Sequence, residues 1–369
     1  MAGRVLVVGA SGLIGQAALR RFCGTPGWEV VAVSRRRPPD LGAASFVAVD
    51  LLDEDGAARA LAGVGSVTHV VYAAVHEVPG LVAGWYDDET IERNATMVRN
   101  LLDPLLGSGA PLAHVSLLQG TKAYGVHLPD RGRAPIPLRE RDTWTDHRNF
   151  YFEQERDVRA RAEGAGFEVT VWRPTVVWGD APGNNMNPLL PIAVFGALER
   201  AAGRPLDFPG ADLAPAVREA VDADLVAEAL VWAATSPAAF GRTFNITNGD
   251  VWCWPDVWPA LADALGMAPG GHRPLSLADE LAGRAGEWAA LVAEHGLRAD
   301  PDPVGYVGAN SLVYVEQMLR ATPPGRAPVL NSTIALRRAG FPGCRDTEEM
   351  LGSQLRRLQA DGWLPPRPG

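Results

Sequence analysis

Lys122 is the only lysine in the chain; every other basic side chain among the 34 Lys and Arg residues is arginine. The planar guanidinium of arginine forks onto carboxylates and phosphates, whereas lysine offers a compact ammonium that fits beside one reacting oxygen and alters its proton affinity. A single retained ammonium therefore points to chemistry; an arginine-rich composition that left one surface lysine is the plain alternative. Lys122 lies in Gln119-Gly120-Thr121-Lys122-Ala123-Tyr124-Gly125, directly after the apolar run Leu112 to Leu118. That run reads as a buried strand and the small polar residues after it as the loop leaving its carboxyl end. In open parallel α/β sheets, ligands bind at that edge.

A second motif stands at the amino terminus. Val5-Leu6-Val7-Val8 runs into Gly9-Ala10-Ser11-Gly12-Leu13-Ile14-Gly15, a strand, a glycine turn and the start of a helix. Gly9 permits the sharp turn, Gly12 lets a pyrophosphate approach the backbone, and Gly15 allows close helix packing. Ser11, Leu13 and Ile14 complete a turn whose unpaired N–H groups face a phosphate at the helix amino end. The glycine pattern alone is weak evidence; strand, turn and helix together implicate a dinucleotide.

The next strand, Val30 to Val33, ends in Ser34-Arg35-Arg36-Arg37, without the acidic residue that would hold the ribose 2′-hydroxyl of NAD. A carboxylate repels a 2′-phosphate, whereas a serine with arginines attracts one, so NADP(H) is the expected cofactor. A solvated basic turn is the other reading. Asp50 and Leu51, after the third strand, are expected at the adenine. Ala73 and Ala74, after the fourth, offer small residues against which the cofactor can lie.

These motifs need a scaffold. Arg4 to Val8, Glu29 to Val33, Phe46 to Val49, His69 to Tyr72, Leu112 to Leu118 and Glu168 to Trp172 read as strands, separated by amphipathic segments such as Leu13 to Phe22, Asp53 to Leu61 and Thr90 to Leu106. The alternation predicts parallel strands joined by right-handed helical crossovers. The fold class is α/β, a doubly wound parallel Rossmann sheet with a smaller, mostly helical carboxyl-terminal lobe. Residues 1–180 are expected to form the dinucleotide-binding domain, rejoined by 222–250. Residues 181–221 and 251–369, rich in tryptophan and punctuated by Gly and Pro, are expected to form the substrate lobe. Asp300 to Pro303 and Thr322 to Pro328 read as connections.

Composition narrows the function. With 369 residues, 47% of them hydrophobic, the chain can bury a full core. A net charge of −9 argues against nucleic-acid and anionic-membrane partners, which reward clustered positive charge. No apolar run approaches the roughly 20 residues needed to span a bilayer, and no signal peptide precedes the first strand; a cytoplasmic protein is expected. Cys23, Cys253 and Cys344 have neither disulfide nor zinc-ligand spacing, and the histidines form no metal-binding pattern, so no metal is expected.

Taken together, these features resemble the extended short-chain dehydrogenase/reductase superfamily, whose usual signature is Tyr-x-x-x-Lys on one helix. That signature is absent: the fourth residue after Tyr124 is Leu128, and after Tyr151 it is Glu155. The arrangement is instead similar to that of the progesterone 5β-reductase/iridoid synthase-like group of enone reductases, and the chain reads as a bacterial member. There the lysine sits in a Thr-Gly-x-Lys-type loop and the tyrosine in an Asn-Phe-Tyr-Tyr segment. Gly120-Thr121-Lys122 and Asn149-Phe150-Tyr151-Phe152 match, as do Arg173 to Gly179, Asn185-Met186-Asn187, Phe244 to Asp250, and Ala339-Gly340-Phe341 with Asp346-Thr347-Glu348. Phe152 and Ala123 depart from the second tyrosine and from the Lys-His-Tyr of several relatives.

The resemblance implies catalytic roles for Lys122 and Tyr151, with Lys122 also holding the nicotinamide ribose, and a nicotinamide bordered by Pro174, Thr175 and Val176. It implies NADPH-dependent 1,4-reduction of an α,β-unsaturated carbonyl, in which the phenol meets the enolate oxygen. The nearby ammonium is expected to lower the phenol's pKa. Trp85, Tyr86, Met186 and Phe195 are candidate pocket walls or ordinary core residues, and Tyr124 is a second phenol or part of a simple turn. Apolar walls suit a small terpenoid, steroid, polyketide or enone. Carbonyl reduction, epimerisation or dehydration, and a non-catalytic NADP sensor stay open, as does a homodimer.

Overall fold

The computed structural model describes residues 3–80, 83–85, 87–128, 133–212, 216–320 and 328–368. Tyr86, a candidate pocket wall, and all of the 322–328 connection except Pro328 lie outside them. The first half alternates strand and helix: β1 (Arg4–Val8), α1 (Leu13–Cys23), β2 (Glu29–Ser34), β3 (Ser45–Ala48), α2 (Glu54–Ala62), β4 (His69–Tyr72), α3 (Asp88–Gly107), β5 (His114–Leu118), α4 (Phe150–Ala165) and β6 (Glu168–Pro174). Then come β7 (Val177–Trp178), α5 (Leu189–Ala201), β8 (Leu206–Phe208), β9 (Val221–Asp222), α6 (Ala223–Thr235) and β10 (Thr243–Ile246). The remainder holds α7 (Trp254–Leu265), β11 (Pro269–His272), α8 (Leu277–Gly283), α9 (Ala285–His295), α10 (Pro303–Val307), α11 (Ala309–Leu319), α12 (Ile334–Arg338) and α13 (Thr347–Ala360).

Seven parallel strands form the main sheet in the order β10-β6-β5-β4-β1-β2-β3. The central strands are runs of Val and Leu buried on both faces, as a sheet covered by helices on both sides requires. Helices α2, α3 and α4 cover one face, and α1 and α6 cover the other. Strand order reverses beside β1, with β2 on one flank and β4 on the other. The crevice beyond the carboxyl ends of β1 and β4 is thus the place for a ligand.

Caps set several boundaries. Asp53 and Asp87 precede α2 and α3, and their carboxylates accept from Gly56 N and Thr90 N, satisfying first-turn donors. Asp222 caps α6, accepting from Asp224 N. Strand β6 runs on past Trp172 to Pro174 because Arg173 and Pro174 lie opposite Asn245 and Ile246 of β10.

The carboxyl-terminal half builds its own core. Trp178, Trp252, Trp254 and Trp258 pack edge to face, with centroids 5.9, 4.8 and 5.7 Å apart in turn, among α5, α7, α11 and α13. Two parts cross the boundary expected from sequence. Leu336 and Phe341 pack in the α1/α6 layer of the sheet, and Trp178 belongs to the tryptophan core. No helix among the described residues is long and apolar enough to cross a membrane.

Candidate active site

A cavity of about 440 Å³ opens at the carboxyl edge of the sheet. Its floor is the glycine turn. Gly9 has φ +82°, and a β-carbon there would lie 2.7 Å from the backbone of Ala73 and Ala74, so only glycine lets β1 turn against the loop after β4. A β-carbon on Gly15 would come within 2.1 Å of Gly9 O; Gly15 packs the helix onto the turn and does not itself line the cavity. Ser11, Gly12, Leu13 and Ile14 do line it. Helix α1 has no side-chain cap and no acidic residue in its first turn, which leaves its amino-end N–H groups for an anion. Open cradle and uncapped helix fit a dinucleotide pyrophosphate.

Ser34, Arg35 and Arg36 form the rim beside β2, with Asp50 and Leu51 next to them and Ala73 and Ala74 behind. Ser34 Oγ donates to Arg36 O (2.6 Å) and Asn100 Nδ2 to Leu51 O (2.9 Å), fixing both turns. Arg36 donates to Gly183 O (3.3 Å) from across the crevice. Among the described residues, no cluster of three His, Cys, Asp or Glu side chains could hold a metal ion.

At the other end, Lys122 sits in the single turn Thr121–Tyr124, closed by Gly125 at φ +69°. Its Nζ is 4.4 Å from the Trp85 ring centroid, 5.5 Å from that of Phe150 and 5.6 Å from that of Tyr151. Burial among these rings pushes the ammonium down to about 8, with Glu77 opposing the shift. Tyr151 lies in the first turn of α4, where the capping Asn149 joins the two residues. Asn149 Oδ1 accepts from Tyr151 N (3.0 Å), and its Nδ2 donates to Lys122 O (3.5 Å). Gln119 adds a second tie, its Nε2 donating to Tyr151 O (3.1 Å) and Glu155 Oε2 (2.8 Å) while its Oε1 accepts from Arg173 Nε (3.0 Å). The position that would carry lysine in Tyr-x-x-x-Lys thus holds a carboxylate bound to Gln119.

The phenol differs from expectation. Tyr151 is buried, and its pKa is pushed up, first by desolvation and then by Glu77 and Tyr314. Arg173 opposes the rise. A raised pKa favours the protonated phenol, a hydrogen-bond donor, over the tyrosinate.

Lys122, Tyr151, Pro174, Thr175, Val176, Trp85 and Met186 all line the same cavity. Met186 has φ +55°, a left-handed backbone rare outside glycine and concentrated at functional sites. Tyr124, the candidate second phenol of the pocket, and Phe195, a candidate wall, do not line the cavity. Tyr124 is wholly buried, its hydroxyl donating to Asn245 Oδ1 (2.5 Å) and its ring under Arg173; Phe195 is wholly buried in the lobe core. Tyr124 turns inward from the same turn whose Lys122 reaches the cavity, held by Asn245 and Arg173, and Phe195 sits on a helix buried from Leu189 to Glu199. Sequence reasoning missed Glu77, His127, Asn185 and Tyr314, which also line the cavity. Asn185 lies in the matched Asn185-Met186-Asn187 stretch without having been singled out; Glu77, His127 and Tyr314 stand outside any motif, and of these only the His76-Glu77 pair after an apolar strand offered a signal.

Residues 5–247 match the sequence model of the NAD dependent epimerase/dehydratase family. An (S)-8-oxocitronellyl enol synthase of Camptotheca acuminata is 28% identical over 98% of this chain and 93% of that protein. A 3-oxo-Delta(4,5)-steroid 5-beta-reductase of Arabidopsis thaliana is 31% identical over 79% of this chain and 78% of its own length. Among solved structures, the UDP-glucose 4-epimerase of Thermus thermophilus in complex with NAD superposes with a TM-score of 0.64 at 19% identity, covering 96% of this chain and 99% of that one. At that identity the likeness concerns the fold.

Proposed function

The chain belongs to the NAD dependent epimerase/dehydratase family and is an oxidoreductase of that family, and we propose that it reduces the activated C=C bond of an α,β-unsaturated carbonyl with NADPH. The observation that carries this reading is a buried Tyr151 phenol lining one cavity with the lone lysine, with no Tyr-x-x-x-Lys pair. The relatives named for a steroid 5-beta-reductase and for an enol synthase support it.

When bound, the nicotinamide supplies the hydride. The residues of the chain do the rest. Delivery of hydride to the β-carbon moves an electron pair onto the carbonyl oxygen, and the Tyr151 hydroxyl donates a hydrogen bond to that oxygen as its charge develops. A preorganised donor of this kind is worth roughly 10²–10³ in rate. Lys122 holds the nicotinamide ribose and adds positive charge beside the enolate. Trp85 and Phe150 exclude water, which strengthens both interactions. A proton delivered to the α-carbon completes the saturated carbonyl.

The preference for NADPH rests on Ser34, Arg35 and Arg36 at the rim and on the absence of an acidic residue ending β2. The substrate is a small carbonyl compound of terpenoid, steroid or similar apolar character. The test is a panel of enals, cyclic enones and ketones incubated with NADPH, with loss of NADPH absorbance followed and each product identified. A saturated carbonyl supports the reading, an alcohol replaces it with carbonyl reduction, and no turnover with any compound overturns it.

A further inference from the structure

Among the described residues, Glu77 is the one acidic side chain at the reacting end of the cavity. Both of its carboxyl oxygens are closed off from solvent and neither makes a well-formed hydrogen bond; the Asn185 amide is within interaction range and Lys122 stands nearby. A buried carboxyl with incomplete hydrogen bonding is costly, and natural proteins rarely keep one without a use. The loop holding it is fixed on both sides. Asn94 of α3 accepts from His76 N (2.8 Å) and donates to His76 O (2.9 Å). Asn310 of α11 accepts from Gly80 N (3.1 Å) and donates to Val78 O (3.2 Å). Two asparagines from opposite halves of the molecule thus clamp the residues flanking Glu77, which makes its aim a built feature.

Resting on the proposed enone reduction, we infer that Glu77 recognises a hydroxyl group on the substrate, at a distance from the carbonyl that Tyr151 engages. Three observations select this partner. The groups around Glu77 are Lys122, Tyr151, Tyr314 and Asn185, and the last two belong to the lobe side rather than to the glycine turn, so the space between them is substrate space. An amine would put a second cation beside Lys122. A hydroxyl suits either protonation state, and burial raises the pKa of Glu77 against the pull of Lys122. The substrate is then an otherwise apolar enone or enal with one polar donor.

The test compares kcat/KM with NADPH for a linear enal and for counterparts that differ only by a hydroxyl at successive carbons of the tail. The parent protein should prefer at least one hydroxylated enal by about tenfold or more, the worth of one hydrogen bond to a buried acidic group. Glu77→Leu should abolish that preference, and Glu77→Gln, which keeps an acceptor oxygen, should retain part of it. NADPH affinity, read by fluorescence quenching, should stay at the parental value in both and report that they fold. No preference in the parent, or an unchanged preference in Glu77→Leu, overturns the inference while leaving enone reduction standing. Loss of NADPH affinity in both variants overturns it too, assigning Glu77 to the cofactor or the fold. If the plain enal is also inert, the reading beneath has failed and the inference falls with it.

Discussion

A β-carbon on Gly120 would lie 3.1 Å from the hydroxyl oxygen of Tyr151 and 3.6 Å from Pro174 O. The glycine before the lysine loop therefore leaves open the space in front of the phenol, where the proposed reaction would bring a carbonyl oxygen. Its backbone is extended, φ 176°, so the requirement is for space and not for conformational freedom.

Gly120→Ala should accordingly fold and bind NADPH like the parent but turn over about tenfold more slowly, because the phenol must shift by a fraction of an ångström. Steady-state kinetics with one accepted enone, beside NADPH affinity, checks this. Parental kcat would show that the hydroxyl is not the group that meets the substrate.

The lysine and the phenol should separate by variant and by pH. Lys122→Met should cut turnover heavily, and Lys122→Arg should not restore it, because a guanidinium does not fit the ring-lined slot. Tyr151→Phe should lose roughly 10²–10³ in kcat with NADPH affinity retained, whereas Tyr124→Phe should be milder. The ammonium is lost from about pH 8 instead of 10.5, so kcat/KM should fall as pH rises through 8. Tyr151→Phe should keep that falling limb, since the phenol's own pKa is raised. Stability runs the other way: between those two values the unfolded chain holds a proton that the folded one has released, so the destabilising effect of burying Lys122 fades as pH rises.

Cofactor choice should depend on the rim of β2. NADPH should bind more tightly than NADH, and replacing Arg35 and Arg36 with alanine should weaken NADPH binding much more than NADH binding, each arginine contributing a charge-assisted contact to the 2′-phosphate. Titration of both dinucleotides decides it, and equal parental affinities would refute the assignment.

A stability test lies far from the site. Glu199 of α5 is wholly buried, with Arg204 at 2.5 Å, Arg273 at 2.7 Å and Arg284 at 2.6 Å. Arg284 is only 10% exposed, so Glu199→Ala leaves a largely buried cation short of its partner. Unfolding in denaturant should show a loss of about 3 kcal/mol. A change within experimental error would mean that Glu280 and Glu287, the other partners of Arg284, suffice.

The doubly wound sheet, the glycine turn and the rim arginines were legible in the sequence because their determinants are local. Alternating buried runs specify parallel strands, and Gly9 through Gly15 specify a turn whatever lies around them. Lys122 was legible as an exception of composition. The partnership of Lys122 with Tyr151 needed a resemblance to be seen, since no short-range pattern joins a loop after β5 to the first turn of α4; in the folded chain Asn149 makes that join. Only the tertiary structure decided that Tyr124 and Phe195 belong to packed interior, that the ammonium lies over aromatic faces, that burial raises the pKa of the phenol, and that Glu77 lines the cavity. These depend on side-chain direction and on desolvation, which are set by contacts between distant segments such as Asn310 of α11 with the loop after β4. A sequence records which groups can titrate; the protein interior decides in which state they stand.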